Sequence, residues 1–176
     1  MKILITGSNG LLGQKLLHKL RQDFSVELIA TSKGENRVSI KEGYTYFDLD
    51  ITNNDAVAKF VSIEKPQVVI NTAAMTNVDL CEDENKDCDA LNVEAVRYLA
   101  DACVKVDAHL IQISTDFIFD GENGPYKEED KPNPLSYYGL SKLKSEQLLQ
   151  EHAVKWTVLR TIIVFGVGEN LSKGNI

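Results

Sequence analysis

The chain has no apolar run approaching the ~18 residues needed to cross a bilayer, so no membrane-spanning segment is expected among its 176 residues. Its first residues, Met1-Lys2-Ile3-Leu4-Ile5-Thr6-Gly7, carry one charged side chain and a short apolar run that ends in glycine. That pattern reads as a strand and not as a secretory leader. Cysteine is scarce: only Cys81, Cys88 and Cys103 occur. An odd, sparse set does not make a disulfide framework. Cys81 and Cys88 have no histidine close by, so no metal site is expected. Cys88 and Cys103 read as small core residues on a helix. Proline and glycine number only 4 and 11, which argues against a low-complexity chain. Basic residues are outnumbered, 19 against 26 acids for a net charge of −7, and no basic face is visible. Nucleic acid is therefore not expected as a partner. A reduced, cytoplasmic protein is expected, with no membrane attachment.

What is present is alternation. Lys2–Thr6 reads as a strand and Leu11–Arg21 as a helix with Leu12, Leu16, Leu17 and Leu20 on one face. Val26–Thr31 and Tyr44–Leu49 read as further strands. Thr52 is expected to start a helix, with Asp55 as its capping-box partner, and Pro66 breaks that helix before the strand Val68–Asn71. Lys86–Val104 reads as one long helix with a broad apolar face. His109–Thr115 is a fifth strand, Asp116–Leu135 a loop rich in glycine and proline, Ser136–His152 a helix and Thr157–Thr161 a sixth strand. Strands separated by helices imply a parallel sheet with right-handed crossovers. The continuous apolar runs Val68-Val69-Ile70 and Leu110-Ile111 suit strands buried on both faces. The expectation is a single α/β domain over residues 1–176, a doubly wound parallel sheet of the Rossmann type with six strands.

Gly7-Ser8-Asn9-Gly10-Leu11-Leu12-Gly13 lies between the first strand and the first helix, the context a dinucleotide-binding loop requires. Gly7 permits the tight turn, Gly10 lets the backbone approach a pyrophosphate, and Gly13 lets the helix pack closely on the strand. The helix N-terminus offers free N–H groups to phosphate oxygens. Gly7, Asn9, Gly10, Leu11, Leu12 and Gly13 are therefore candidate cofactor contacts. The spacing Gly-x-x-Gly-x-x-Gly resembles that of the extended short-chain dehydrogenase/reductases, and no Gly-Lys-Ser/Thr follows to make a P-loop. An acid at the end of the second strand would bind the ribose 2′-OH of NAD. Here that place carries Thr31 or Ser32, then Lys33, with Arg37 close behind. Hydroxyls and cations suit a 2′-phosphate, so NADP(H) is expected in preference to NAD(H).

Tyr138 and Lys142 are four apart on a helix and so share a face. A phenol is a poor proton donor at its ordinary pKa of about 10, and a nearby ammonium is expected to lower it. Lys142 would thus make Tyr138 a usable general acid, whereas Tyr137 falls on another face. Thr115 ends the fifth strand, at the carboxyl edge where ligands bind in parallel sheets. It is the candidate to orient a substrate carbonyl, with Ser114 pointing the opposite way along the strand.

Ile113-Ser114-Thr115-Asp116-Phe117-Ile118-Phe119-Asp120-Gly121, Asn133-Pro134-Leu135-Ser136-Tyr137-Tyr138-Gly139-Leu140-Ser141-Lys142 and Asn71-Thr72-Ala73-Ala74-Met75-Thr76-Asn77-Val78-Asp79 together resemble the dTDP-4-dehydrorhamnose reductase family. The resemblance runs the whole chain. It implies Thr115, Tyr138 and Lys142 as the catalytic set. It places Ala73, Ala74 and Thr76 near the cofactor, Asp50 and Ile51 at the adenine, and Asn92 as a supporting helix residue. Arg160-Thr161-Ile162-Ile163-Val164-Phe165-Gly166 would hold the nicotinamide end. Met75 stands where the family usually has tyrosine. The implied activity is NAD(P)H-dependent reduction of a 4-keto sugar nucleotide, in nucleotide-sugar and cell-surface polysaccharide biosynthesis. Two other readings stay open: a non-catalytic NADP-binding regulatory subunit resembling methionine adenosyltransferase β, and a nucleotide-sugar epimerase or dehydratase. The last ranks lower because Asp116 has no glutamate beside it. Family members continue into a seventh strand and a small substrate-gripping domain. The ending Gly174-Asn175-Ile176 therefore reads as that of a partial chain, with a homodimer as an open option.

Overall fold

A computed structural model of the chain describes residues 1–171, so the terminal Gly174-Asn175-Ile176 lies outside the described residues. Six strands, β1 (Lys2–Thr6), β2 (Glu27–Ser32), β3 (Thr45–Asp48), β4 (Val68–Asn71), β5 (His109–Thr115) and β6 (Lys155–Thr161), form one sheet in the order β3-β2-β1-β4-β5-β6. Every adjacent pair is parallel. The order runs outward in both directions from β1 and β4. Their carboxyl ends are thus the switch point at which such sheets open a binding crevice.

Alternation along β1 sends Ile3 and Ile5 to one face and Leu4 to the other. Ile3 and Ile5 join Leu17 of helix α1 (Leu11–Leu20), Leu28 and Ala30 in one core. Leu4 and Val69 join Val57 and Val61 of α2 (Asn54–Glu64) and Val96, Leu99 and Cys103 of α5 (Ala95–Val106) in the other. Apolar packing gives way to a buried polar row at the carboxyl ends of the central strands. Thr6 Oγ1 donates to Asn71 Oδ1 (2.6 Å), and Asn71 Nδ2 donates to Gln112 Oε1 (2.7 Å). Buried polar groups are tolerated when bonded in this way, and the row ties β1, β4 and β5 together directly beneath the crevice. No helix among the described residues is long and apolar enough to cross a membrane.

Two local expectations are corrected. The helix after β3 is capped by Asn53, whose side chain accepts from Ala56 N at 3.0 Å. Thr52 instead donates its hydroxyl to Asp50 Oδ1 at 2.6 Å, so there is no Thr52–Asp55 capping box. Asn53→Ala is expected to cost about 1 kcal/mol, read as a lower urea midpoint, and Asp55→Ala less. Equal losses would return the cap to Thr52. The long helix expected over Lys86–Val104 is assembled from α4 (Asn85–Asp89), a π-helical turn (Ala90–Glu94) and α5, and it is preceded by α3 (Val78–Asp83). The extra residue of a π turn changes which side chains face inward, and a 3.6-residue periodicity does not reveal it.

Beyond β5 a 3-10 turn (Asp116–Ile118) leads through a loop to α6 (Tyr137–Glu151), capped by Ser136. β6 is an edge strand. Beside it Leu159, Ile162, Ile163 and Phe165 are exposed.

Candidate active site

A cleft of about 620 Å³ opens at the switch point, lined by the glycine loop, the end of β2, the loop after β4, the end of β5, α6 and the segment after β6. Its floor depends on glycine at two places. A Cβ on Gly7, which has φ +71°, would sit 2.5 Å from Ala73 N. One on Gly13 would sit 2.5 Å from Gly7 O. Both obstacles are backbone. Gly10 N donates to Gly7 O at 2.9 Å to close the turn. Gly10 is also the N-cap of α1 and supplies no side chain, and the first turn of α1 contains no acid. The first amides of α1 are thus open to an anion with nothing negative beside them. This arrangement fits the pyrophosphate of a dinucleotide.

At the β2 end of the cleft, Asn9 organises the rim. Its Nδ2 donates to Glu35 O (2.8 Å), its Oδ1 accepts from Arg37 N (2.9 Å) and its own N donates to Ser32 Oγ (3.0 Å). Ser32, Lys33 and Arg37 line the cleft. Thr31 does not: it is fully buried in the sheet and its hydroxyl donates to Ile5 O. Lys33 Nζ lies 2.8 Å from Asp50 Oδ2, a contact that holds the Asp50 carboxyl down at about 2. Asp50 thus meets Lys33, and Ile51 is buried in the core; neither lines the cleft. Thr31 and Ile51 follow from alternation in and after a strand, where each second side chain turns inward.

At the other end Thr115, Tyr138 and Lys142 face the same cleft. Thr115 Oγ1 accepts from Phe117 N (3.2 Å), and Ser114 turns away to donate to Glu146. The ring of Tyr138 packs edge-on against Phe117, 5.9 Å between centroids. Lys142 is buried, and its Nζ donates to Ile113 O at 2.6 Å. Burial pulls the ammonium down to about 8, against the pull of Glu146 upward. Tyr138 goes the opposite way from the sequence expectation: burial raises its phenol, and the neighbouring Thr115 hydroxyl opposes this only in part. Desolvation penalises the phenolate, and Lys142 is engaged with a carbonyl. Tyr137 points elsewhere. Its hydroxyl donates to Asp89 Oδ2 (2.8 Å), and Lys144 lies 4.9 Å over its ring.

Two residues hold the elements of the site together: Asn92, which the resemblance already implied, and Gly139, which no motif signals. Asn92, in the π turn, bonds both backbone groups of Met75, accepting from N (2.8 Å) and donating to O (3.0 Å), and also donates to Ser141 Oγ (2.9 Å). It clamps the loop after β4 to α6 without itself lining the cleft. Gly139 lets α6 approach the 3-10 turn so closely that a Cβ there would lie 2.3 Å from Phe117 O. Only its place between Tyr138 and Lys142 could have signalled this.

These features coincide with known proteins. A family model described as the RmlD substrate binding domain matches residues 1–174. The chain belongs to the RmlD substrate binding domain family. The dTDP-4-dehydrorhamnose reductase of Aggregatibacter actinomycetemcomitans is 38% identical over 174 residues, covering 98% of this chain and 55% of that protein. Methionine adenosyltransferase 2 subunit beta of Bos taurus is 33% identical over 175 residues, covering 99% and 50%. Among solved structures, a dTDP-4-dehydrorhamnose reductase of Clostridium acetobutylicum superimposes with a TM-score of 0.83 at 42% identity, over 97% of this chain and 56% of that one. One from Bacillus anthracis, in complex with NADP, gives 0.79 at 32%, over 96% and 56%. The chain thus spans about half the length of the curated relatives it matches.

Within this RmlD family member, Thr161–Phe165 line the cleft together with Thr115, Tyr138 and Lys142, whereas Arg160 does not. Its guanidinium turns to Glu146 on the opposite side of β6, as alternation along a strand requires. Ala73, Ala74 and Thr76 line the cleft, and the departure at Met75 lies just outside its lining.

Proposed function

We propose that this chain is the cofactor-binding half of an NADPH-dependent reductase of a 4-keto sugar nucleotide, acting in the cytoplasm. The observation that carries the reading is the convergence of Thr115, Tyr138 and Lys142 on a cleft whose other end is an uncapped helix N-terminus. When bound, the nicotinamide would supply hydride to the keto carbon. Thr115 is placed to hydrogen-bond the substrate oxygen and aim it at Tyr138. Tyr138, held protonated by burial, gives its proton to that oxygen as negative charge develops. Lys142, four residues on and on the same face of α6, would return a proton to the phenolate after the transfer. A turnover assay of the whole protein with a dTDP-4-keto sugar tests the reading. Absence of turnover with NADPH and NADH alike would turn the case to the second reading, a regulatory subunit. That reading is favoured by one observation, the 33% identity with methionine adenosyltransferase 2 subunit beta.

The cofactor preference rests on Ser32, Lys33 and Arg37 at the rim with no acid among them. NADPH is expected to bind more tightly than NADH when both dissociation constants are measured at one salt concentration. Ser32→Asp should reverse the order by repelling the 2′-phosphate. Tighter binding of NADH by the unmodified chain would reject the assignment.

A further inference from the structure

Lys142 keeps an ammonium in a fully buried place, and that cost needs a source of compensation. The carbonyl of Ile113 supplies one hydrogen bond. The residue one turn further along α6 is Glu146, on the same face by its spacing and itself only 2% exposed. Glu146 is not available as a simple salt-bridge partner. Arg160 of β6 grips it with Nε at 3.2 Å from both carboxylate oxygens and Nη2 at 2.8 Å from Oε2, and Ser114 of β5 donates to Oε1. Arg160 is in turn anchored by Nη1 to Glu128 O at 2.8 Å and lies 5.5 Å over the Phe119 ring. The network therefore joins α6, β5, β6 and the loop before α6, immediately behind the carboxyl end of β5.

We propose that Glu146 and Arg160 act as a positioning pair for Lys142. The carboxylate holds Lys142 in its charged form against burial, and the guanidinium holds the carboxylate back so that Nζ stays with Ile113 and free toward the cleft. This rests on the reading that Lys142 serves the phenol and the cofactor. Besides Glu146, the Cys88 thiol of α4 bears on Lys142; Tyr138 lies one turn back on the same helix, with Asp116 beside it at the end of β5. Neither the thiol nor the phenol carries charge while protonated. Glu146 is the anion packed behind Lys142, and Arg160 is the cation behind that.

Charge and mere packing predict opposite signs at Glu146 and the same sign at Arg160→Met. A strut whose loss admits water would let Lys142 climb toward its ordinary value whichever member were removed. A charge pair gives different results for its two members. Glu146→Gln keeps the shape and removes the anion. It also leaves the Arg160 cation uncovered, so the midpoint for Lys142 should fall from about 8 by on the order of one unit, a tenfold change in the ionisation constant. Arg160→Met leaves the anion uncompensated and should raise the midpoint. Arg160→Lys keeps the charge and should leave it close to the unmodified value. The measurement is an NMR titration of the lysine side chains in the labelled chain, with Lys142→Gln identifying the resonance and no cofactor present. A fall in Glu146→Gln with a rise in Arg160→Met supports the pair. Shifts in the same direction, or none in either, overturn it. If Glu146→Gln does not fold, the two Arg160 variants decide: equal midpoints reject a charge role and a rise confined to Met supports it. NADPH titration of the same unmodified sample separates the two readings. Failure to bind would sink the proposed function and leave the titration result standing.

Discussion

Tyr138→Phe in the whole protein is expected to lower turnover by on the order of 10²–10⁴ while leaving NADPH affinity nearly intact. The variant removes one hydroxyl from a ring that keeps its contact with Phe117, so cofactor site and fold should persist. Tyr137→Phe is the control. Its hydroxyl is tied to Asp89 and Lys144, away from the cleft, and its loss should change turnover far less. The size is that expected for loss of a general acid; burial keeps the phenol protonated at neutral pH but makes it a weaker donor in the resting chain. Steady-state kinetics of the two variants decide the matter, and similar behaviour would show that the wrong tyrosine has been chosen.

Gly139→Ala is expected to destabilise the chain by about 2 kcal/mol or more and to cost the whole protein on the order of 10²-fold in turnover through displacement of Tyr138. Helix propensity alone predicts the reverse, a gain of about 1 kcal/mol for replacing a helical glycine with alanine. The contact decides between them. The new Cβ would lie 2.3 Å from Phe117 O and 3.1 Å from its carbonyl carbon, and backbone in a 3-10 turn cannot swing aside as a flexible side chain would. Either α6 or the turn must move, and Thr115 and Tyr138 sit on the two sides of that contact. Urea unfolding gives the stability and the assay gives the rate. An alanine variant more stable than the parent and equally active would mean that α6 packs less closely than described.

The glycine loop could be read from the chain because its spacing between a strand and a helix is local; the close contact at Gly13 lies within the loop, whereas that at Gly7 is with Ala73 after β4 and was not legible. That Tyr138 and Lys142 face one cleft could be read because helical spacing places them on one face whatever surrounds them. Where the reading failed, the deciding partner was distant in sequence. Thr31 and Arg160 were assigned to the cleft by position at the end of the second strand and within a motif, yet alternation and the neighbouring elements turn their side chains to Ile5 and Glu146. The ionisation of Tyr138 was expected to follow Lys142 four residues away. It follows desolvation, which depends on everything packed around the ring.

From the chain alone came the alternation of strands and helices, hence a parallel sheet, and the glycine-rich turn between the first strand and the first helix. These depend on interactions a few residues long and on the handedness of crossovers. The order β3-β2-β1-β4-β5-β6, the polar row from Thr6 through Asn71 to Gln112, the π turn that delivers Asn92 to Met75 and Ser141, and the Glu146–Arg160 pair behind Lys142 all emerged from tertiary packing. Each joins residues many positions apart. A buried polar or charged group is stable only where such distant partners meet it, and local periodicity carries no record of them.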